Sequence, residues 1–151
     1  MAPNLHASAV LLGDRGVLVA GPSGSGKTRL AMALVDAAAR RGLLGRLVAD
    51  DQVLLAPANG RLVATAPASI AGLCEIRGLG TVPMSHEPAC VVDLLVRLVP
   101  AAQAPRMAAG HGEDAAGCFL PLLELAERDA AGAVLAVLAF LFDEGAATAA
   151  K

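Results

Sequence analysis

The segment GPSGSGKT, Gly21 to Thr28, constrains the fold of this chain more than any other. It fits the pattern G-x-x-x-x-G-K-[ST] and follows the apolar run GVLVAG. Behind it, in TRLAMALVDAAARRG, Leu30, Ala33, Leu34 and Ala37 recur at helical spacing, and Gly42 after Arg40 and Arg41 marks a helix end. Strand, glycine loop and helix in that order make the context that turns the pattern into a P-loop, and an α/β fold with its site at the strand C-termini follows. Backbone N–H groups of Gly21, Ser23, Gly24, Ser25 and Gly26 form an anion nest, with Pro22 shaping the loop without an N–H of its own, and the helix N-terminus adds its positive end. Lys27 is placed to bridge outer phosphates, and Thr28 offers a hydroxyl to Mg²⁺. A glycine-rich turn that only caps a helix is the competing reading, but the sole other lysine is Lys151, so a lysine in the loop is a pointed choice.

With 151 residues, 56% of them hydrophobic, and a net charge of −2, one globular domain able to bury a core is expected. No basic block is present, and Phe119, Phe140 and Phe142 are the only aromatics, so a nucleic-acid partner is not expected. Lacking Trp and Tyr, the chain is expected to grip a nucleotide base loosely. Cys74, Cys90 and Cys118 have neither C-x-x-C spacing nor an even count, which points to free thiols in a reducing cytoplasm. The N-terminal segment does not read as a signal peptide. The late apolar run Ala130 to Phe142 is too short to span a bilayer, and a buried helix or a subunit contact is expected there.

SAVLLG and GVLVAG, joined by GDRG, read as a hairpin, and QVLLAPANGRLVATAP as a second one turning at Asn59 and Gly60. GRLVADD reads as a strand with Asp50 and Asp51 at its C-terminal end. The stretch through VVDLLVRLVP ends in a helix or strand, AAGHGEDAAG reads as loop, and the tail after Glu144 is expected to fray.

Asp50 and Asp51 lie close enough behind the P-loop in sequence to form its second motif. One carboxylate at a strand end can hold Mg²⁺ and the other can take a proton from an attacking hydroxyl; a solvated turn is the alternative. In LCEIRGLGTV, Glu75 and Arg77 would share a face of a strand, either as a structural ion pair or as an anion for metal beside a cation for phosphate. His6, read alone, is an ordinary surface or core histidine. His86 and His111 receive no role, and the position of Arg106 alone says nothing.

Taken in order, LHASAVLLGDRGVLVAGPSGSGKTRLAMAL, GRLVADDQV and CEIRGLGTV resemble the catalytic domain of HPr kinase/phosphorylase, over about Leu5 to Pro83. The resemblance implies a P-loop kinase domain of the HPr kinase and PEP carboxykinase type over residues 1–144, with a mixed β-sheet flanked by helices and a flexible tail at 145–151. It implies ATP bound at Gly21 to Thr28, Asp51 as proton acceptor, Lys27, His6 and Arg77 as catalytic groups, and Thr28, Glu75 and Asp50 around Mg²⁺. Arg106 is the match to a later active-site arginine. The implied reaction is phosphorylation of a serine on the phosphocarrier protein HPr, in a cytoplasmic oligomer, often a hexamer, with phosphorolysis of serine-phosphorylated HPr left open for this chain. Thr28 stands where serine is usual, keeping the hydroxyl. The start near the catalytic domain resembles a short form lacking an N-terminal domain, and beyond Arg106 the similarity fades, with ELAERDAAGA only loosely like the segment linked to dephosphorylation. A small-molecule P-loop kinase and a non-catalytic nucleotide-sensing module are the rival readings.

Overall fold

The computed structural model describes residues 4–108, 110 and 112–143. The tail expected at 145–151 and His111 lie outside them. In chain order the elements are β1 (Asn4–Leu5), β2 (Ala7–Leu12), β3 (Arg15–Ala20), α1 (Lys27–Arg40), β4 (Gly45–Ala49), β5 (Val53–Ala58) and β6 (Arg61–Thr65). They continue as β7 (Leu73–Ile76), β8 (Gly80–Pro83), β9 (Ala89–Val99), β10 (Gly112–Ala115), β11 (Cys118–Ala126) and α2 (Ala130–Phe142).

Among the described residues nine strands form one mixed sheet: seven run in the order β1-β5-β6-β9-β3-β2-β4, and β11 pairs with β9 and carries β10, while β7 and β8 pair separately. The centre is β9. It runs parallel to β3 along one edge, and its other edge is shared, antiparallel to β6 at Val91 and parallel to β11 from Leu95 onward. Gly16 permits the close approach of β3 to β9, since a Cβ there would lie 2.0 Å from the Val91 carbonyl oxygen.

Alternation along the strands divides the core. Val17 and Val19 of β3 and Leu94, Val96 and Leu98 of β9 face Leu30, Leu34 and Ala38 of α1 and Val137 and Leu138 of α2. Leu18 and Leu95 face the opposite way, onto Val53, Leu55, Leu62 and Leu120, where the curl of the sheet closes the second core. Both helices therefore cover one face. Burial of a large apolar side chain contributes ~1.5–3 kcal/mol, so these two clusters supply the main driving force for folding.

Both expected hairpins form, with pairing from Ala7↔Ala20 to Leu12↔Arg15 and from Leu54↔Thr65 to Ala58↔Arg61. Three expectations are settled differently or more sharply. The stretch left open as helix or strand is the strand β9, whose β-branched residues fit a sheet buried on both faces. AAGHGEDAAG is not all loop: Gly112–Ala115 is β10, paired with Ala115↔Cys118 at the turn into β11. Arg77 is not on a strand face with Glu75, because β7 ends at Ile76 and the chain turns over Arg77–Leu79 into β8. The run Ala130 to Phe142 is helix α2, which buries Ala133, Val137 and Leu138. No described helix is long and apolar enough to cross a membrane.

Candidate functional site

The strand order explains which residues meet. β3 and β4 both border β2 and run antiparallel to it, with Ala7 opposite Ala20 and Ala9 opposite Ala49. The C-terminal ends of β3 and β4, carrying the P-loop and the Asp50–Asp51 pair, therefore lie beside the N-terminal end of β2, which carries His6 and Ser8. Residues far apart in the chain are neighbours by sheet topology alone.

The loop leaves β3 at Gly21 and enters α1 at Lys27. Gly24 and Gly26 have φ of 81° and 95°, a conformation in which glycine escapes the Cβ penalty of other residues. Gly21 is needed for room, since a Cβ there would meet Ser25 Oγ at 2.7 Å and Leu98 Cβ at 3.1 Å. Lys27 is buried and folds back on the loop, donating from Nζ to the carbonyl oxygens of Gly21, at 2.9 Å, and Pro22, at 3.1 Å. Those weakly held donors are available to a phosphate, whose negative charge outcompetes a neutral carbonyl.

Asp50 is buried and is the hub of the cluster. Its Oδ1 accepts from Ser8 Oγ at 2.9 Å and Thr28 Oγ1 at 2.7 Å, and its Oδ2 accepts from the Glu75 backbone N–H at 3.1 Å. A buried carboxylate is tolerated because three donors replace its lost water. Its charge also acts on Cys74: burial first, and Asp50 second, push that thiol up to about 11. Ser8, fully buried, also accepts from the Asp51 N–H at 3.2 Å, so one hydroxyl fixes both aspartates.

Asp51 points the other way. Its backbone is left-handed, with φ 68°, and its half-exposed carboxylate meets His6 Nε2 at 2.5 Å. Glu75 is exposed, and Arg77, in the turn after β7, is exposed as well. Among the described residues the two side chains form no ion pair. Arg106 is exposed in the bend after β9, and no described hydrogen bond ties it to the P-loop cluster. The structure thus gathers Lys27, Thr28, Asp50, Asp51, His6 and the Glu75 backbone, and leaves the side chains of Arg77 and Arg106 free of those contacts.

Two contributors are not evident from motif spacing. Ser8 had one available signal, a polar residue inside the apolar strand ASAVLL. Arg128 had none: it touches the back of the P-loop from 104 residues away, through Nε to the Gly24 carbonyl at 3.1 Å.

For Mg²⁺, the donor set is chemically suitable. The Thr28 hydroxyl and the Asp50 carboxylate, 2.7 Å apart, are hard oxygen donors at the start of α1, and Glu75, joined to Asp50 through its backbone N–H, carries a further exposed carboxylate. No three described His, Cys, Asp or Glu side chains form a metal cage.

Comparison with known proteins bears on the family and the fold. A family model described as the HPr serine kinase C-terminal domain matches residues 1–87. HPr kinase/phosphorylase of Clostridium tetani is 37% identical over 92 residues, covering 60% of this chain and 28% of that protein. The same enzyme of Limosilactobacillus reuteri is 43% identical over 83 residues, covering 54% of this chain and 24% of the relative. The alignments thus span only about a quarter of these relatives' own lengths. The solved HPr(Ser) kinase/phosphatase of Coxiella burnetii shares the fold, with a TM-score of 0.79 at 22% identity, over 97% of this chain and 98% of that one. P-loop, aspartate pair and glutamate-bearing hairpin lie inside the matched region, and on that match the chain belongs to the HPr serine kinase C-terminal domain family.

Proposed function

We propose that this chain is an ATP- and Mg²⁺-dependent protein serine kinase that phosphorylates an HPr-type phosphocarrier, with phosphorolysis of the product by inorganic phosphate, releasing pyrophosphate, as a second activity. The observation that carries the proposal is the division of labour between two adjacent aspartates. Asp50 is buried against Thr28, while Asp51 is presented outward and held by His6 at 2.5 Å. A nucleotide-sensing module needs the first arrangement and has no use for the second.

The P-loop amides and Lys27 hold the outer phosphates, and Lys27 exchanges its carbonyl contacts for phosphate oxygens. Thr28, Asp50 and Glu75 would hold Mg²⁺, which when bound supplies neutralisation of phosphate charge. Asp51 takes the proton of the acceptor serine as its oxygen attacks the γ-phosphorus, and ADP leaves. His6 keeps the Asp51 carboxylate aimed. Arg77 and Arg106, exposed and without a described ion-pair partner, are the cations proposed to meet the transferred phosphoryl group or the acceptor.

Incubation with γ-labelled ATP and purified HPr tests this directly. Label on a seryl residue of HPr, lost on adding inorganic phosphate, is expected; label on small metabolites with none on HPr would sink it. The sensing alternative is separated by comparing Lys27→Ala with Asp51→Asn. If only the lysine variant loses the biological output, the chain senses nucleotide without transferring phosphate. Cytoplasmic location and a homo-oligomer, hexameric as in the family, belong to the same proposal and are read by fractionation and light scattering.

A further inference from the structure

The P-loop is not supported by its own strand and helix alone. A nest that turns its N–H groups toward an anion must turn the matching carbonyls away, and those need partners of their own. Here Arg128 supplies them. Its backbone N–H donates to the Ser25 carbonyl at 3.1 Å, and its side-chain Nε donates to the Gly24 carbonyl at 3.1 Å. Gly26 lies against it too, since a Cβ on Gly26 would sit 3.7 Å from the Arg128 nitrogen.

The base of this contact is fixed on both sides. Before it, the Glu127 N–H donates to the Val99 carbonyl at 2.8 Å; after it, Asp129 caps α2 by accepting from the Gly132 N–H at 3.0 Å. Arg128 itself holds a left-handed backbone, φ 59°, which aims its N–H at the loop. Its guanidinium also lies 4.0 Å from Glu127.

We propose that Arg128 is a positioning residue of the nucleotide site, a strut that holds the outer peptides of Gly24 and Ser25 so that the loop is preorganised for phosphate. This rests on the nucleotide-binding role proposed above. The Ser25 N–H of the first peptide is held by the Pro22 carbonyl at 3.1 Å, so Arg128 acts by fixing the planes of both peptides and, through the second, the Gly26 N–H. Preorganisation appears as affinity, because the loop no longer loses conformational freedom on binding. The segment that bears Arg128 lies outside the family match over residues 1–87.

Arg128→Gly isolates the side chain, since glycine keeps the left-handed backbone and its N–H. In the whole chain it is expected to weaken ATP and pyrophosphate binding, measured by calorimetry, about tenfold, in line with loss of one charged hydrogen bond. Amide exchange over Gly21 to Thr28 in the ligand-free protein should become several-fold faster, with the thermal midpoint within about 2 °C of the parent. Arg128→Lys should recover part of the affinity, because an ammonium can still reach one carbonyl. Unchanged exchange with unchanged ATP affinity in Arg128→Gly would overturn the strut, as would a loss that tracks a general fall in thermal midpoint without recovery by lysine. Faster loop exchange in Arg128→Gly beside a parent chain that binds no ATP would uphold the strut and refute the nucleotide-site reading instead.

Discussion

At the scale of single residues, Asp51 combines a backbone cost with a chemical role. A non-glycine residue at φ 68° is disfavoured by ~1 kcal/mol, although aspartate tolerates it better than most. The side chain is kept there by His6, and the backbone N–H by Ser8. Asn at this position preserves both size and tolerance of the left-handed region while removing the proton acceptor. Asp51→Asn is therefore expected to lower the rate of label transfer to HPr by ~10²–10⁴-fold with little change in thermal midpoint. Equal transfer rates would remove Asp51 from the reaction. Cys74 gives a second residue-level outcome. Its thiol titrates at about 11 against an ordinary 9.0, so at pH 8 its thiolate fraction is about a hundredfold lower than that of an ordinary cysteine. Cys90, pushed up to about 12 by burial and then by Asp93, is still less ionised. Alkylation of the native protein at pH 8 should leave both unmodified over the time that the unfolded chain reacts fully. As pH rises above about 9 the unfolded chain ionises these thiols while the folded one does not, so stability falls there.

Between elements, β11 pairs directly with the central strand β9, and β10 is tied to that strand by one bidentate ion pair. Arg97 of β9 donates to Glu113 of β10 through Nη1, at 2.9 Å, and Nη2, at 2.6 Å. Those hydrogen bonds hold the Glu113 carboxyl below its ordinary value of 4.5. A lowered folded value means that the stabilisation is present above the ordinary carboxylate range and lost as pH falls through the folded value. Both side chains are about two-fifths exposed or less, so solvent screening limits the pair to ~0.5–1 kcal/mol. Glu113→Gln should lower the unfolding free energy from urea titration at pH 7 by that amount and leave it unchanged at a pH below the folded value, where the parent has lost the pair too. A deficit of equal size at both pH values would mean that packing rather than charge is at work. The β10–β11 hairpin also shows why part of the fold is hidden in sequence. The turn at Asn59 and Gly60 is visible because its chemistry is local, whereas GEDA has a strand's role only because β11 and Arg97 lie beside it. The same reasoning covers Arg77, where alternation over LCEIRG suggests one strand face and the hairpin turn overrides it.

For the whole molecule, the site is easier to read than the scaffold that holds it. Gly21 to Thr28, Asp50 and Asp51 are compact motifs with dedicated chemistry, so they stand out in a single chain. That His6 and Ser8 join them depends on β2 lying antiparallel between β3 and β4, which no local pattern encodes. The matched region ends at residue 87, just before β9 begins at Ala89, yet β9 is the strand on which β3, β6 and β11 all pair. Without it, Val17, Leu18 and Val19 lose their neighbours on one edge, and the β1-β5-β6 group is no longer joined to β3. Without α2, the α1 face loses Ala133, Val137 and Leu138 as well. A chain cut after residue 87 would keep every motif of the nucleotide site and lose the centre of its sheet. It is expected to show no sigmoidal urea transition by circular dichroism and no ATP binding, and the full chain is expected to unfold in one cooperative step. A cooperative transition in the shortened chain would show that the P-loop half is a folding unit in its own right. In that case β9 and α2 would be an accessory to the family's domain and not its core.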